Sequence, residues 1–248
     1  MFHYSLALSD SKAKARQYCA SFYNGEPVLS VSSNTFGEVP VFFGAANKGQ
    51  RFDCVEIDRT TFLSGLEPYN ELKKQYPTLT YQNKDVFDMD FSQYKRINLD
   101  FCGNLTNTLM FNLFKHLANF NGKVFITLLR SREQFDVSHY GAKSNAHFRD
   151  VIFPQMIKTF TGLDVYLPRH DYENFKEGSK HPSPMMIYSF VRNEKDVKAR
   201  EHNKRNSDNI DAIYNYIDTH ETYCVMDVVK ATGIDKETVE HYFKKYQL

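Results

Sequence analysis

Two periods of apolar spacing alternate along this chain. Short stretches with apolar residues in alternation or in compact runs predict strands at 26–33 (EPVLSVSS), 51–58 (RFDCVEID), 78–91 (TLTYQNKDVFDMDF), 95–100 (KRINLD) and 123–130 (KVFITLLR). Between them lie segments that read as helices: 9–23, 39–49, 60–77 ending at Pro77, and 105–122. In the last of these, Leu105, Leu109, Leu113, Leu117 and Phe120 recur at helical spacing and Gly122 follows the end. A further helix is predicted over 145–162, with an interruption at Pro154. Two β segments then follow one another, 163–172 and 183–193, separated by a polar loop.

Strands alternating with helices predict a mostly parallel sheet of the Rossmann-like α/β class, here with about seven strands. The two consecutive strands predict an antiparallel hairpin at its end. Ligands of such sheets bind beyond the carboxyl ends of the strands. Asp58, Asp85 and Asp100 stand where strands should finish, so that edge carries a row of carboxylates. Grouped anions are costly unless a ligand with hydroxyls and amines offsets them. Acids in these positions also serve as helix caps.

The last 43 residues have another character. Ile210, Ile213, Tyr214 and Ile217 form one apolar stripe, Val225, Val228 and Val229 a second, and Val239, Tyr242, Phe243 and Tyr246 a third. Three short amphipathic helices are therefore predicted over 206–248. A polar stretch without apolar period, 195–205, reads as a linker from the larger domain, 1–194.

Charge sharpens this division. The whole chain is balanced at +1, but residues 206–248 hold four Lys against eight Asp and Glu, leaving the rest net basic. Within 224–248, Gly233 marks a turn and Val239 falls six residues later, a spacing that resembles a helix-turn-helix, with Val229 where a small residue is usual. Its second helix would present Lys236. Duplex-reading domains normally carry positive charge, so an acidic module fits a protein partner as well as DNA. Lys198, Arg200, Lys204 and Arg205 of the linker are the better candidates for phosphate contact.

Composition excludes several classes. No apolar run is long enough to cross a bilayer, and the first residues lack the pattern of a secretory signal. The four cysteines are scattered, with no metal-type spacing, which predicts reduced thiols and a cytoplasmic protein without a structural metal.

The order of elements over roughly 10–193 resembles the class I S-adenosylmethionine-dependent methyltransferases. The resemblance implies S-adenosylmethionine as cofactor, with Glu56 or Asp58 on its ribose hydroxyls and Asp85 on its adenine amine. It also implies that the fourth strand delivers catalytic residues, and LDFCG keeps Asp100 and Gly103 while lacking the family's proline. Asp100 is the catalytic candidate; Cys102 reads either as a thiolate nucleophile or as a small buried hydrophobe. After the first strand the family has an acid and a glycine-rich turn, whereas VLSVSSNTFGE has Ser30 for the acid and retains Gly37, with Ser32, Ser33, Asn34 and Glu38 available for replacement contacts. His139 and Tyr140 read as exposed residues of the loop after the fifth strand. The expected function is methyl transfer to DNA or RNA; the alternative is a non-catalytic nucleic-acid-binding or regulatory protein on the same fold.

Overall fold

The computed structural model describes residues 10–20, 23, 25–45, 50–101, 103–130, 133, 135–174, 181–192, 209, 212–213, 216, 219 and 224–246. The proposed linker with Lys198, Arg200, Lys204 and Arg205, and the thiol candidate Cys102, lie outside the described residues.

Seven strands form one sheet: β1 (Val28–Val31), β2 (Phe52–Glu56), β3 (Leu79–Asn83), β4 (Arg96–Asp100), β5 (Lys123–Leu129), β6 (Leu163–Asn174) and β7 (Ser183–Arg192). Their spatial order is β3-β2-β1-β4-β5-β7-β6. β1 to β5 run parallel and β7 runs antiparallel to β5, while β6 and β7 lie side by side at the end of the sheet as the antiparallel hairpin that the two consecutive β segments predict. The order reverses between β1 and β4, where chains of this class bind ligands beyond the strand ends. β1, β2, β4 and β5 are buried along nearly their whole length, so their apolar runs do not alternate.

The helices with described bounds are α1 (Asp10–Ala20), α2 (Val39–Ala45), α3 (Arg59–Gln75), α4 (Asn107–Leu117), α5 (Asn145–His147), α6 (Phe153–Thr161), α7 (Val225–Thr232) and α8 (Lys236–Tyr246). α3 packs on β2 and β3 and ends just before Pro77. α4 buries Met110, Leu113, Phe114 and Leu117, and Leu105 and Phe120 just beyond its ends are buried with them, so of the predicted apolar line only Leu109 is half-buried; Thr106 caps the helix. A π-helical turn, Phe148–Ile152, joins α5 to α6 immediately before Pro154, where the ring removes a backbone donor.

The chain divides into two compact units. One comprises Met1–Asn104, Asn121–Ser131 and Tyr166–Val191, and carries β1 to β5, β7 and most of β6. Its core gathers Phe36, Phe42, Phe43, Phe52, Leu79 and Tyr81. The other comprises Leu105–Phe120, Arg132–Val165 and Arg192–Leu248. There the buried guanidinium of Arg192 donates to the carbonyls of Phe120, Ala118 and Thr161 at 2.6–2.7 Å, tying the ends of α4 and α6 together. α7 and α8 meet through Val228 and Val239, both fully buried, across a turn at Gly233 with φ +69°. α8 also packs against the turn Val137–Tyr140.

Candidate cofactor site

The sheet register aligns a polar patch on one face. Ser30 of β1 pairs with Asn98 of β4, Asp100 with Thr127 of β5, and Thr127 with Ile187 of β7. Residues two apart on a strand share a face, so Ser30, Asn98, Asp100 and Thr127 point the same way. α1 supplies the opposite wall with Lys12, Ala15, Arg16 and Cys19, spaced i, i+3, i+4, i+7 on one helical stripe. These residues, with Glu38, Phe42 and Phe125, line a pocket with a free cavity volume of about 40 Å³. That is room for only a few waters.

The pocket has a charged side with both signs, Lys12 and Arg16 against Glu38 and Asp100, and an apolar side of Phe125, Tyr172 and Ile187. Arg16 and Glu38 are both buried and approach to 3.7 Å. Neither is satisfied by that contact: Nη1 of Arg16 and Oε1 of Glu38 have no hydrogen-bond partner, and neither does Oδ1 of Asn98. Buried polar atoms left unpaired are uncommon, since each costs roughly 1–3 kcal/mol. Their orphaned donors and acceptors, beside an apolar wall, suit an amino-acid head group bearing an apolar arm. The thiol of Cys19 is pushed up to about 12 by burial and stays neutral here.

The turn after β1 is built differently from a glycine-rich cradle. Phe36, not a glycine, takes the left-handed conformation at φ 47°, its fully buried ring set edge-on to Tyr81 at 4.6 Å. A Cβ at Gly37 would overlap the guanidinium of Arg16. The bare face of Gly37 therefore admits Arg16. Asn34 Nδ2 donates to Ser64 Oγ of α3, and the hydroxyls of Ser33 and Thr35 pair at 2.9 Å.

Of the residues singled out from the sequence, Ser30, Glu38 and Asp100 line the pocket, while Ser33, Gly37, Glu56, Asp58 and Asp85 lie outside its lining. Glu56 ends β2 and accepts from the backbone N–H of Asp58 at 2.8 Å. Asp58 caps α3 by accepting from the Thr61 N–H at 2.7 Å, which holds its carboxyl below the ordinary range. Asp85 caps the turn Val86–Asp88 by accepting from the Phe87 N–H. Between these acids Ile57 is 67% exposed, an apolar side chain left in water at the strand end. The expectation for the loop after β5 needs correction at one residue. His139 is exposed, but Tyr140 is buried, donates to Asn107 Oδ1 at 2.8 Å, and is pushed up to about 12 by that burial.

Lys12, Arg16, Asn98 and Thr127 were not among the sequence candidates. Among the described residues, no group of His, Cys, Asp and Glu could hold a metal ion, and no helix is long and apolar enough to cross a membrane.

No protein-family model matches the chain, and no curated protein matches it. Solved structures do. A protein of Pyrococcus horikoshii, provisionally described as an RNA methyltransferase, is similar at TM-score 0.51 and 15% identity, over 74% of this chain and 84% of that one. The likeness is one of fold, a mostly parallel, methyltransferase-like α/β sheet. A provisionally assigned rRNA methylase of Clostridium thermocellum overlaps at TM-score 0.46 and 12% identity, over 75% and 98% of the two chains. TrmN of Thermus thermophilus overlaps at 0.45 and 14%, over 73% and 48%.

Proposed function

We propose that this protein binds S-adenosylmethionine in the pocket between α1 and the ends of β1, β4 and β5, and transfers its methyl group to a nucleic acid. The observation that carries the reading is the pocket's paired charge, with orphaned atoms on Arg16, Glu38 and Asn98. Arg16 and Lys12 would hold the cofactor's carboxylate, and Glu38 its ammonium. Glu56 would receive the ribose hydroxyls, Ile57 would cover the adenine, and the remaining acceptor capacity of Asp58 and Asp85 would serve ribose and adenine amine. Ser33 would complete the turn around the methionyl arm by holding Thr35 in place. When bound, the cofactor supplies an electrophilic methyl group on a sulfonium. Asp100, at the end of β4, would orient the acceptor and offset the positive charge that develops on it.

The nucleic-acid part is supported by the described activity of the structurally similar proteins and by the basic excess of residues 1–205. The helix pair α7–α8, with its sharp turn at Gly233, supports a helix-turn-helix module whose second helix offers Lys236 to phosphate. Lys236 currently pairs with Glu240 at 3.2 Å, an exposed contact that phosphate can displace. The linker cations Lys198, Arg200, Lys204 and Arg205 would add to the same footprint.

One observation favours the second reading, a regulatory protein that keeps the fold without the reaction: Arg16 fills the space beside Gly37. Calorimetric titration with S-adenosylmethionine and S-adenosylhomocysteine separates the two. Micromolar binding of both supports the enzyme; no heat at millimolar ligand removes it and leaves the regulatory reading.

A further inference from the structure

Arg96, the first residue of β4, is fully buried, and all three of its guanidinium nitrogens lack a hydrogen-bond partner. Three aromatic rings enclose it, with its central carbon 4.4 Å from the ring centre of Phe125, 5.0 Å from Phe42 and 5.7 Å from Tyr23. The charge is weakened by burial, which brings its pKa down to about 10, yet it is fully present at neutral pH. A cation over ring faces recovers part of its lost hydration. A buried charge without a hydrogen-bonded partner nevertheless remains costly, and an apolar residue of similar volume is often the more stable choice. Glu26, the acid nearest by charge coupling, is itself paired with Lys123 at 3.5 Å. Phe42 and Phe125 have two roles: they box Arg96, and they line the ligand pocket together with Cys19. The pocket thus has an unneutralised cation directly behind its aromatic wall, shielded from salt.

We propose that Arg96 is a specificity-determining residue that acts through this wall, its field favouring ligands that carry a carboxylate over otherwise identical ligands without one. The inference rests on the pocket taking the amino-acid end of the cofactor. It assigns to Arg96 a positioning role without contact, distinct from the direct contacts of Lys12 and Arg16.

The test compares S-adenosylhomocysteine with S-adenosyl-3-thiopropylamine, which lacks only the carboxylate, by calorimetry on the full chain. In the wild type the first should bind more tightly. Arg96→Met should reduce the ratio of the two affinities by roughly tenfold, while Arg96→Lys keeps it. A ratio unchanged in Arg96→Met overturns the proposal, and partial misfolding cannot imitate the result because both affinities fall together. If Arg96→Met does not fold, the Arg96 Nε–H resonance of the wild type decides: a shift with S-adenosylhomocysteine alone supports the role, and equal shifts or none refute it. If neither adenosyl ligand binds the wild type, the methyl-donor reading fails. The same ratio is then taken with L-methionine and 3-(methylthio)propylamine. There, equal affinity, or no binding of L-methionine, overturns the Arg96 proposal as well.

Discussion

Arg16 and Gly37 are fitted to one another: the guanidinium of Arg16, carried on α1, fills the volume into which a Cβ at position 37 would project. A glycine kept for a ligand would leave that volume open; here it is filled by a side chain. The consequence is that Gly37→Ala should expel Arg16 from the pocket and copy the loss of Arg16 itself. Charge-assisted hydrogen bonds contribute about 1.5–3 kcal/mol each. Gly37→Ala and Arg16→Ala should therefore each weaken S-adenosylhomocysteine binding by about tenfold or more. Calorimetry on the double variant should show no further loss, since the two act through one contact. Additive losses would separate them.

Ile57 offers a test that leaves the fold untouched. Its side chain is mostly exposed next to Glu56, so replacing it with Ser removes no core packing. Surface changes of this kind stay within about ±0.5 kcal/mol in stability. Affinity for S-adenosylhomocysteine should nevertheless fall several-fold, because the adenine loses its apolar cover. The thermal midpoint and the titration are measured on the same sample, and a fall in both would place Ile57 in the fold instead.

Asp58 has a folding role that titration can isolate. Its carboxyl is held below the ordinary range, first by the backbone N–H of Thr61 and then by the Thr61 hydroxyl. A depressed folded pKa stabilises the protein above the unfolded carboxylate value, near 3.9, and the contribution is lost as pH falls through the lower folded value. Asp58→Asn keeps a capping oxygen but cannot titrate. Its thermal midpoint should fall less steeply than the wild type's below about pH 4. The flattening is partial, because Asp90 and Asp136 cap their own turns in the same way. A ribose role for Asp58 adds a second signature: Asp58→Asn should also weaken adenosyl ligands at neutral pH.

The fold was readable because each strand carries its signal locally. The apolar runs of RFDCVEID and KVFITLLR, and the Pro and Gly residues between segments, need no partner to be recognised. The pocket was not, and the reason is register. Ser30, Asn98 and Thr127 become neighbours when β1, β4 and β5 align side by side, and nothing within any one strand fixes that alignment. Lys12 and Arg16 left a trace in the i, i+4 spacing of the opening helix, where two cations share a stripe with Ala15 and Cys19. A solvent-facing stripe has the same composition, so burial alone distinguishes them. Asp100 was found early because a carboxylate ending a strand is informative without its neighbours.

Lys236 tests the nucleic-acid reading. Its ammonium pairs with Glu240 on the exposed face of α8, a contact of about 0.3–0.5 kcal/mol that a phosphate readily replaces. Lys236→Glu should weaken RNA or duplex binding by a few-fold whatever the sequence, and lower the salt dependence by about one counterion. Fluorescence anisotropy at several salt concentrations measures both. An unchanged slope would remove α8 from the phosphate contacts and favour a protein partner for the acidic module.

Asp100 separates binding from chemistry. It lines the pocket beside Glu38, yet it stands at the very end of β4, where the sheet order reverses. If Glu38 holds the cofactor's ammonium, Asp100 is left to orient the acceptor, and its charge matters as the acceptor gains a methyl group. Asp100→Asn keeps the size and one hydrogen-bonding oxygen while removing the charge. Binding of S-adenosylhomocysteine should then change by less than about threefold, and single-turnover methyl transfer to a mixed RNA pool should fall by about a hundredfold or more. The comparison discriminates because the two roles predict opposite patterns. A residue that holds the ammonium loses affinity and rate together, whereas one that faces the acceptor loses rate alone. Equal losses would move Asp100 to the cofactor and leave the acceptor to be oriented by the backbone of Phe101 and Gly103.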